Sequence, residues 1–364
     1  VTRLLIVDDS ALMRRVLGDV FQAEPGFEVA FARDGVEALE QVHLFKPDVI
    51  TLDVQMPRMD GLSCLDRIMV ERPCRVVMVS SQTAEGADAT LEALELGAVD
   101  FVAKPDGAVS LAIDDFAPIL IEKVMMAAAS RLRRTHRLAE RVRALHGVTA
   151  PPSPPFVASR VKPAPRPASA GAPPGLVIIG TSTGGPPALD AVLAEIPADF
   201  PWPILVAQHM PAAFTASLAR RLDTLCALRV VEVTRPTPLT PGCVYIARGD
   251  ADMTVSRRTG GPVALSTPSS SEHRWHPSVD RLVRSAAAVM PPERLVGVLM
   301  TGMGNDGARA MTDLRAAGGR TIAEAEETAV VWGMPGELVR AGGADVVAPL
   351  GDIADRILDM VGAG

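Results

Sequence analysis

Two groups of residues in this chain have the types and spacing that chemistry needs. The first lies in the N-terminal third and comprises Asp8, Asp9 and Asp53 with Ser80 and Lys104. Carboxylates brought together repel one another unless a cation neutralises them, and an all-oxygen set with open positions suits Mg²⁺. The second group is spread over the C-terminal half: Ser182 within Gly180-Thr181-Ser182-Thr183-Gly184-Gly185, His209 within Gln208-His209-Met210-Pro211, and Asp306 within Asn305-Asp306-Gly307. A serine nucleophile needs a base to take its proton, and the base needs a carboxylate to hold its tautomer. The chain offers one candidate for each role. The same glycine-rich turn could instead cradle a phosphate on its main-chain N–H groups, and the residues alone leave both readings open.

These residues matter only if the chain brings them together, and the hydrophobic pattern predicts that it does. In the first third, short apolar runs at 4–7, 28–32, 49–52, 75–79 and 101–103 alternate with helical patterns such as 11–23 and 36–44. Strands alternating with amphipathic helices predict a parallel sheet covered on both faces. Loops after parallel strands gather in one crevice. Asp8, Asp9, Asp53, Ser80 and Lys104 all follow or close such runs. The alternation resumes at Gly175, with predicted strands at 176–179, 204–207, 295–300 and 320–323 and helices at 187–195, 214–225, 278–290, 308–317 and 351–361. Residues 228–266 are rich in β-branched residues and turns and read as short strands and hairpins inserted into that second core. Ser182, His209 and Asp306 each stand just beyond a predicted strand.

Between the two patterns, a helical stretch from about 115 towards 145 carries six arginines, which read as a solvated face. Residues 149–174 are crowded with Pro, Ala and Ser, the composition of a semi-extended linker. The expected organisation is therefore α/β: two doubly wound parallel-sheet domains, at 1–125 and 175–364, joined over 126–174 by a helix and a Pro/Ala-rich linker.

Composition excludes several classes. No apolar run is long enough for a transmembrane helix, and the N-terminal residues do not read as a signal peptide, so a cytoplasmic protein without membrane insertion is expected. The four cysteines lack metal-ligand spacing and read as free thiols. A net charge of −7 argues against a nucleic-acid binder. His273 and His276 suggest a metal pair, but no acid or cysteine accompanies them at metal-site spacing, and metal-dependent hydrolysis is not expected.

Leu5-Ile6-Val7-Asp8-Asp9-Ser10, Asp53-x-x-Met56-Pro57-x-x-Asp60-Gly61 and Lys104-Pro105 resemble two-component receiver domains of flavodoxin-like fold. That resemblance implies phosphorylation on Asp53, Mg²⁺ held by Asp8, Asp9 and Asp53, and switch roles for Ser80, Lys104 and Phe101. The 180–186 turn, Gln208-His209-Met210-Pro211, Pro277-Ser278-Val279-Asp280 and Thr301-Gly302-Met303-Gly304-Asn305-Asp306-Gly307 resemble the Rossmann-like catalytic domain of the chemotaxis protein-glutamate methylesterases. With the receiver, this resemblance covers essentially the whole chain. It implies Ser182 as nucleophile, His209 as general base and acid, Asp306 as the orienting carboxylate and the Met303 N–H as oxyanion donor, with no cofactor in the catalytic domain. It further implies glutamyl methyl esters of chemotaxis receptors as substrate, glutamine deamidation as a second activity, and a chemotaxis histidine kinase as phosphodonor. Two positions depart from the family pattern: Thr181 stands where alanine is commoner and His276 where arginine is usual.

Other outputs are possible behind a receiver. A nucleotide-binding domain would want Gly-x-Gly-x-x-Gly and an acid after its second strand, where this chain has His209. A DNA-binding domain would be smaller, and residues 175–364 contain no lysine.

Overall fold

The computed structural model describes residues 1–105, 109–130 and 175–362. They fall into two compact units divided between 156 and 157. The arginine-rich stretch beyond 130 and the Pro/Ala-rich linker lie outside the described residues.

The first unit is a five-stranded parallel sheet formed by β1 (Thr2–Val7), β2 (Phe27–Ala32), β3 (Val49–Asp53), β4 (Arg75–Ser80) and β5 (Asp100–Ala103), in the order β2-β1-β3-β4-β5. Leu4, Leu5, Ile6, Ile50, Leu52, Val76, Val77 and Met78 are fully buried, as expected of central strands covered on both faces. Helices α1 (Ala11–Ala23), α2 (Gly35–Leu44), α3 (Gly61–Glu71), α4 (Ala84–Leu96) and α5 (Val109–Ala129) cover them. Each of the first four starts on a side-chain cap: Ser10, Asp34, Asp60 and Thr83 accept from main-chain N–H groups of the first turn. Asp34 is also paired with Arg58. Helix α5 begins near 109, earlier than the pattern predicts, and contains Pro118.

The second unit is a seven-stranded parallel sheet with order β15-β14-β13-β6-β7-β10-β8. Its strands are β6 (Leu176–Thr181), β7 (Ile204–Gln208), β8 (Arg229–Val233), β10 (Cys243–Ala247), β13 (Leu295–Leu299), β14 (Arg320–Glu324) and β15 (Val346–Ala348). A separate small antiparallel sheet holds β9 (Thr237–Pro238), β11 (Ala251–Arg258) and β12 (Gly261–Pro268). This corrects the expectation for 228–266. Only β9, β11 and β12 are an insertion, whereas β8 and β10 pair in parallel and extend the main sheet. Helices α6 (Gly185–Glu195), α7 (Ala212–Leu225), α8 (Val279–Ala287), α9 (Ala308–Ala316), α10 (Met334–Arg340) and α11 (Ile353–Gly362) complete the unit. On one face of the sheet, Leu205 and Tyr245 pack with Val279, Leu282, Met311 and Leu338. Strands β13, β6 and β7 are adjacent, so residues just past 181, 208 and 299 emerge side by side.

Candidate active site

Each unit gathers the residues expected of it at the C-terminal edge of its sheet. In the first, donor oxygens of Asp8, Asp9 and Asp53 lie within 4.8 Å of one another. Lys104 reaches into the same place, with Nζ 2.9 Å from Asp8 Oδ2 and 2.8 Å from Asp53 Oδ2. Burial lifts the Asp53 carboxyl above its ordinary value; Lys104 opposes this and Asp8 adds to it. Burial alone would lower the Lys104 ammonium, but Asp8 and Asp53 outweigh it and hold it up. Asp8 and Asp53 are buried while Asp9 is exposed, so the cluster opens to solvent on one side. A hard-oxygen donor set of this kind, compensated only in part by one ammonium, fits a Mg²⁺ ion. Ser80, buried one residue past the partner of Asp53 on β4, donates through Oγ to Gly86 O at 3.1 Å. Phe101 is buried on β5, beneath the Lys123 ammonium at 5.2 Å.

In the second unit, His209 Nε2 lies 2.9 Å from Asp306 Oδ2. Asp306 is buried and its oxygens are fully used. Oδ2 also accepts from Val279 N at 2.7 Å, and Oδ1 accepts from Ser278 Oγ at 3.1 Å and Asp280 N at 3.0 Å. Burial would raise this carboxyl; the bond from His209 and the two main-chain N–H groups prevail and hold it below its ordinary value. With Nε2 committed to Asp306, the other ring nitrogen, Nδ1, is buried and has no hydrogen-bond partner. Ser182 follows the neighbouring strand: β6 and β7 are paired up to Thr181 and Gln208, and His209 N donates to Thr181 O at 3.0 Å. No hydrogen bond joins Ser182 Oγ to the ring, so the structure brings the histidine and the aspartate into contact and places the serine just past the neighbouring strand.

Ser182 N donates to Thr301 O at 3.0 Å, which fastens the serine turn to the end of β13. Thr301 is a buried hub. Its N–H donates to Glu324 Oε2 at 2.7 Å, and its hydroxyl donates to Thr183 O at 2.8 Å and accepts from Val331 N at 3.1 Å. Gly302 is tied to Val331 and Gly333, while the Met303 N–H is not used by the bonds that hold this turn. The Trp275 ring lies parallel to His209, centroids 6.0 Å apart, and a Cβ on Gly304 would come within 2.4 Å of Trp275.

The glycines of the serine turn answer the question that the sequence left open. A Cβ on Gly184 would meet Val330 at 2.7 Å, and one on Gly185 would meet Gln208 Oε1 at 1.9 Å. They are small because protein packs against them, and they do not line an open phosphate cradle. Thr181, one of the two departures, donates to Gln208 Oε1 at 2.6 Å. His276, the other, pairs through Nδ1 with buried Asp252 at 2.9 Å; Asp252 also accepts from Ser278 N and Arg281. The expectation that no acid accompanies the two histidines is corrected on both counts. His276 has Asp252, and donor atoms of His273, Asp280 and Asp306 lie within 4.8 Å. Asp252 and Asp306 come from another strand and another loop, which local spacing cannot reveal, whereas Asp280 lies only four residues after His276. The Asp306 oxygens are already filled by donors, which leaves this second cluster a poor cation cage.

Sequence reasoning missed Gln208, Asp252, Thr301 and Glu324. Their side chains act on main-chain groups of distant segments. The one available signal was that Asp252 and Glu324 are acids within or closing apolar strands.

The CheB methylesterase family matches residues 177–357, and the response regulator receiver domain matches 4–112. A protein-glutamate methylesterase/protein-glutamine glutaminase of Rhodopseudomonas palustris is 57% identical over 98% of this chain and 97% of its own length. One from Rhodospirillum rubrum is 51% identical over 98% and 95%. The crystal structure of the Thermotoga maritima CheB methylesterase catalytic domain is 37% identical, covering 52% of this chain and 98% of its own, with a TM-score of 0.49. No helix among the described residues is long and apolar enough to cross a membrane. With both domains matched and its relatives similar from end to end, this chain belongs to the CheB methylesterase family, carrying a response regulator receiver domain before the methylesterase domain.

Proposed function

We propose that this protein is a phosphorylation-activated serine hydrolase that removes methyl esters from glutamyl side chains of chemotaxis receptors and deamidates receptor glutamines. The observation that carries the proposal is the buried His209–Asp306 pair with Nδ1 left unpartnered, His209 following the strand paired with the one that Ser182 follows. Asp306 fixes the tautomer with hydrogen on Nε2, which leaves the Nδ1 lone pair to accept the Ser182 proton. Ser182 Oγ then attacks the side-chain carbonyl carbon. The oxygen becomes an oxyanion held by the Met303 N–H, a type of contact worth about 3–4 kcal/mol in the transition state. When the C–O bond to methoxide breaks, the imidazolium returns its proton and methanol leaves. Water, deprotonated by His209, cleaves the glutamyl-serine ester in the same way. An amide substrate follows the same course and releases ammonia.

In the receiver, Asp53 is the phosphoryl acceptor. Asp8, Asp9 and Asp53 would hold Mg²⁺, which when bound offsets the charge of the carboxylates and of the phosphoryl oxygens. The Lys104 ammonium lies between Asp8 and Asp53, where it can pair with a new phosphoryl oxygen, and the Ser80 hydroxyl lies one residue beyond the strand partner of Asp53. A histidine kinase of a chemotaxis pathway is the expected donor, and the cytoplasm the expected compartment. The domains are 1–125 and 175–364, with 126–174 between them.

The test is methanol release from methylated receptor by the full chain, with and without Mg²⁺ and a small-molecule phosphodonor. Ser182→Ala should abolish release, and Asp53→Asn should leave a basal rate that the donor no longer raises. Undiminished release by Ser182→Ala would remove the mechanism; full stimulation of Asp53→Asn would remove the regulation.

A further inference from the structure

Strand pairing brings Ser182 and His209 together but stops at the residues before them, Thr181 and Gln208. Beyond that point the main-chain bond from His209 N to Thr181 O is joined by one side chain that reaches both residues. Gln208 is 2% exposed, and its amide Nε2 donates to two main-chain carbonyls, Ser182 O and His209 O, each at 3.0 Å. Its Oε1 accepts from the Thr181 hydroxyl at 2.6 Å, and Thr181 is fully buried. Rotating the amide by half a turn would set its oxygen against two carbonyl oxygens, so donor chemistry fixes its orientation. All three polar positions of the amide used in this way are satisfied inside the protein, and a satisfied buried network specifies one geometry. The missing Cβ at Gly185 leaves the room that Oε1 occupies.

We propose that Gln208, oriented by Thr181, is a positioning residue that sets the Ser182–His209 distance. This rests on the reading of Ser182 as nucleophile and His209 as base. The geometry makes the effect direct. His209 works through Nδ1, the ring nitrogen nearer its own main chain, so displacement of the His209 backbone moves the accepting atom with little side-chain length to absorb it. Gln208 holds that backbone, at His209 O, to the backbone of the nucleophile, at Ser182 O. A loosened tie widens the distribution of Oγ–Nδ1 distances. Neither bond of the tie is made to the 301–304 turn that carries Met303.

The experiment uses the full chain with Mg²⁺ and a phosphodonor, and compares Thr181→Val, Thr181→Ser, Gln208→Met and Ser182→Ala. Methanol release gives kcat and KM, inactivation by phenylmethylsulfonyl fluoride reads serine reactivity without the receptor, and thermal unfolding checks the fold. Thr181→Val keeps the shape and removes the donor; kcat should fall roughly tenfold with KM within about twofold, and Gln208→Met should lose about 100-fold, the scale of a 1 Å misplacement. Thr181→Ser should recover most of the loss. Sulfonylation should slow in step with kcat. If folded Thr181→Val and Gln208→Met keep kcat within about twofold, or lose only KM, the tie does not position the pair. Should Gln208→Met fail to fold, the Val and Ser variants at 181 decide alone. Activity retained by Ser182→Ala would instead overturn the underlying assignment of the nucleophile, an outcome the other variants cannot mimic.

Discussion

At the scale of the residue, carboxylates do the holding, and each is held in turn. Asp306 and Asp252 flank one segment, 276–281: the first accepts from Ser278 Oγ, Val279 N and Asp280 N, the second from His276, Ser278 N and Arg281. Burial opposes the charge on Asp252, but the bonds from His276, the Ser278 N–H and Arg281 keep its carboxyl below the ordinary value of 3.8, as the His209 bond does for Asp306. A carboxyl depressed in the folded state contributes stability that is complete above its unfolded value and is lost as pH falls through the folded one. Unfolding temperature should therefore drop steeply once pH passes below about 4. Asp252→Asn should be less stable at neutral pH and show a shallower acid slope; an unchanged slope in a pH series of melting curves would remove Asp252 from the account. The place of Ser182, His209 and Asp306 beyond strands was legible in the sequence, because each follows a short apolar run, whereas their roles rested on the family resemblance. Gln208, Thr301 and Glu324 were not. Their partners are carbonyls and N–H groups of other segments, and those contacts exist only once the sheet order is known.

At the scale of the element, the sequence predicted best where apolar runs were bounded by clear turns. All five strands of the first unit, and β6, β7, β13 and β14 of the second, have their predicted place. The β-branched, turn-rich composition of 228–266 reads as an insertion and hides strand β8, whose return to β10 passes through β9 and a turn with no helix, an uncommon way to make a parallel pair. Strand β15 spans three residues at the sheet edge, with Val347 half exposed, too short and too open for an apolar run to announce it. The turn after β13 depends on Gly304, with φ +81° and Trp275 packed where a side chain would begin. Gly304→Ala should cost about 1–3 kcal/mol of stability through backbone strain and overpacking. It should also lower kcat by shifting Met303 and Trp275; a denaturant titration and an esterase assay together check this. Wild-type values in both would mean that the turn has slack that the packing does not show.

At the scale of the whole molecule, two chemistries occupy two cores, each at the C-terminal edge of its own parallel sheet. The order of β2-β1-β3-β4-β5 places Asp8 and Asp53 on neighbouring strands, and that of β13-β6-β7 does the same for the esterase residues. Burial raises the Asp53 carboxyl, so protons and Mg²⁺ compete for it. Mg²⁺ at about 100 times its dissociation constant should stabilise the receiver by about 2.7 kcal/mol. The sign follows from the raised value: the apparent affinity for Mg²⁺ falls as pH falls towards it. Calorimetry across a pH series, with Asp53→Asn as control, measures this; Mg²⁺ stabilisation that does not weaken on acidification would contradict it. The stacked Trp275 and His209 rings have a further, optical consequence. The chain has three tryptophans, Trp202, Trp275 and Trp332, and one tyrosine, Tyr245, all in the second unit. Intrinsic emission is therefore blind to the receiver, and the indole closest to the chemistry lies against a ring whose gain of a proton would quench it. The histidine proposed as base carries its own fluorescent reporter.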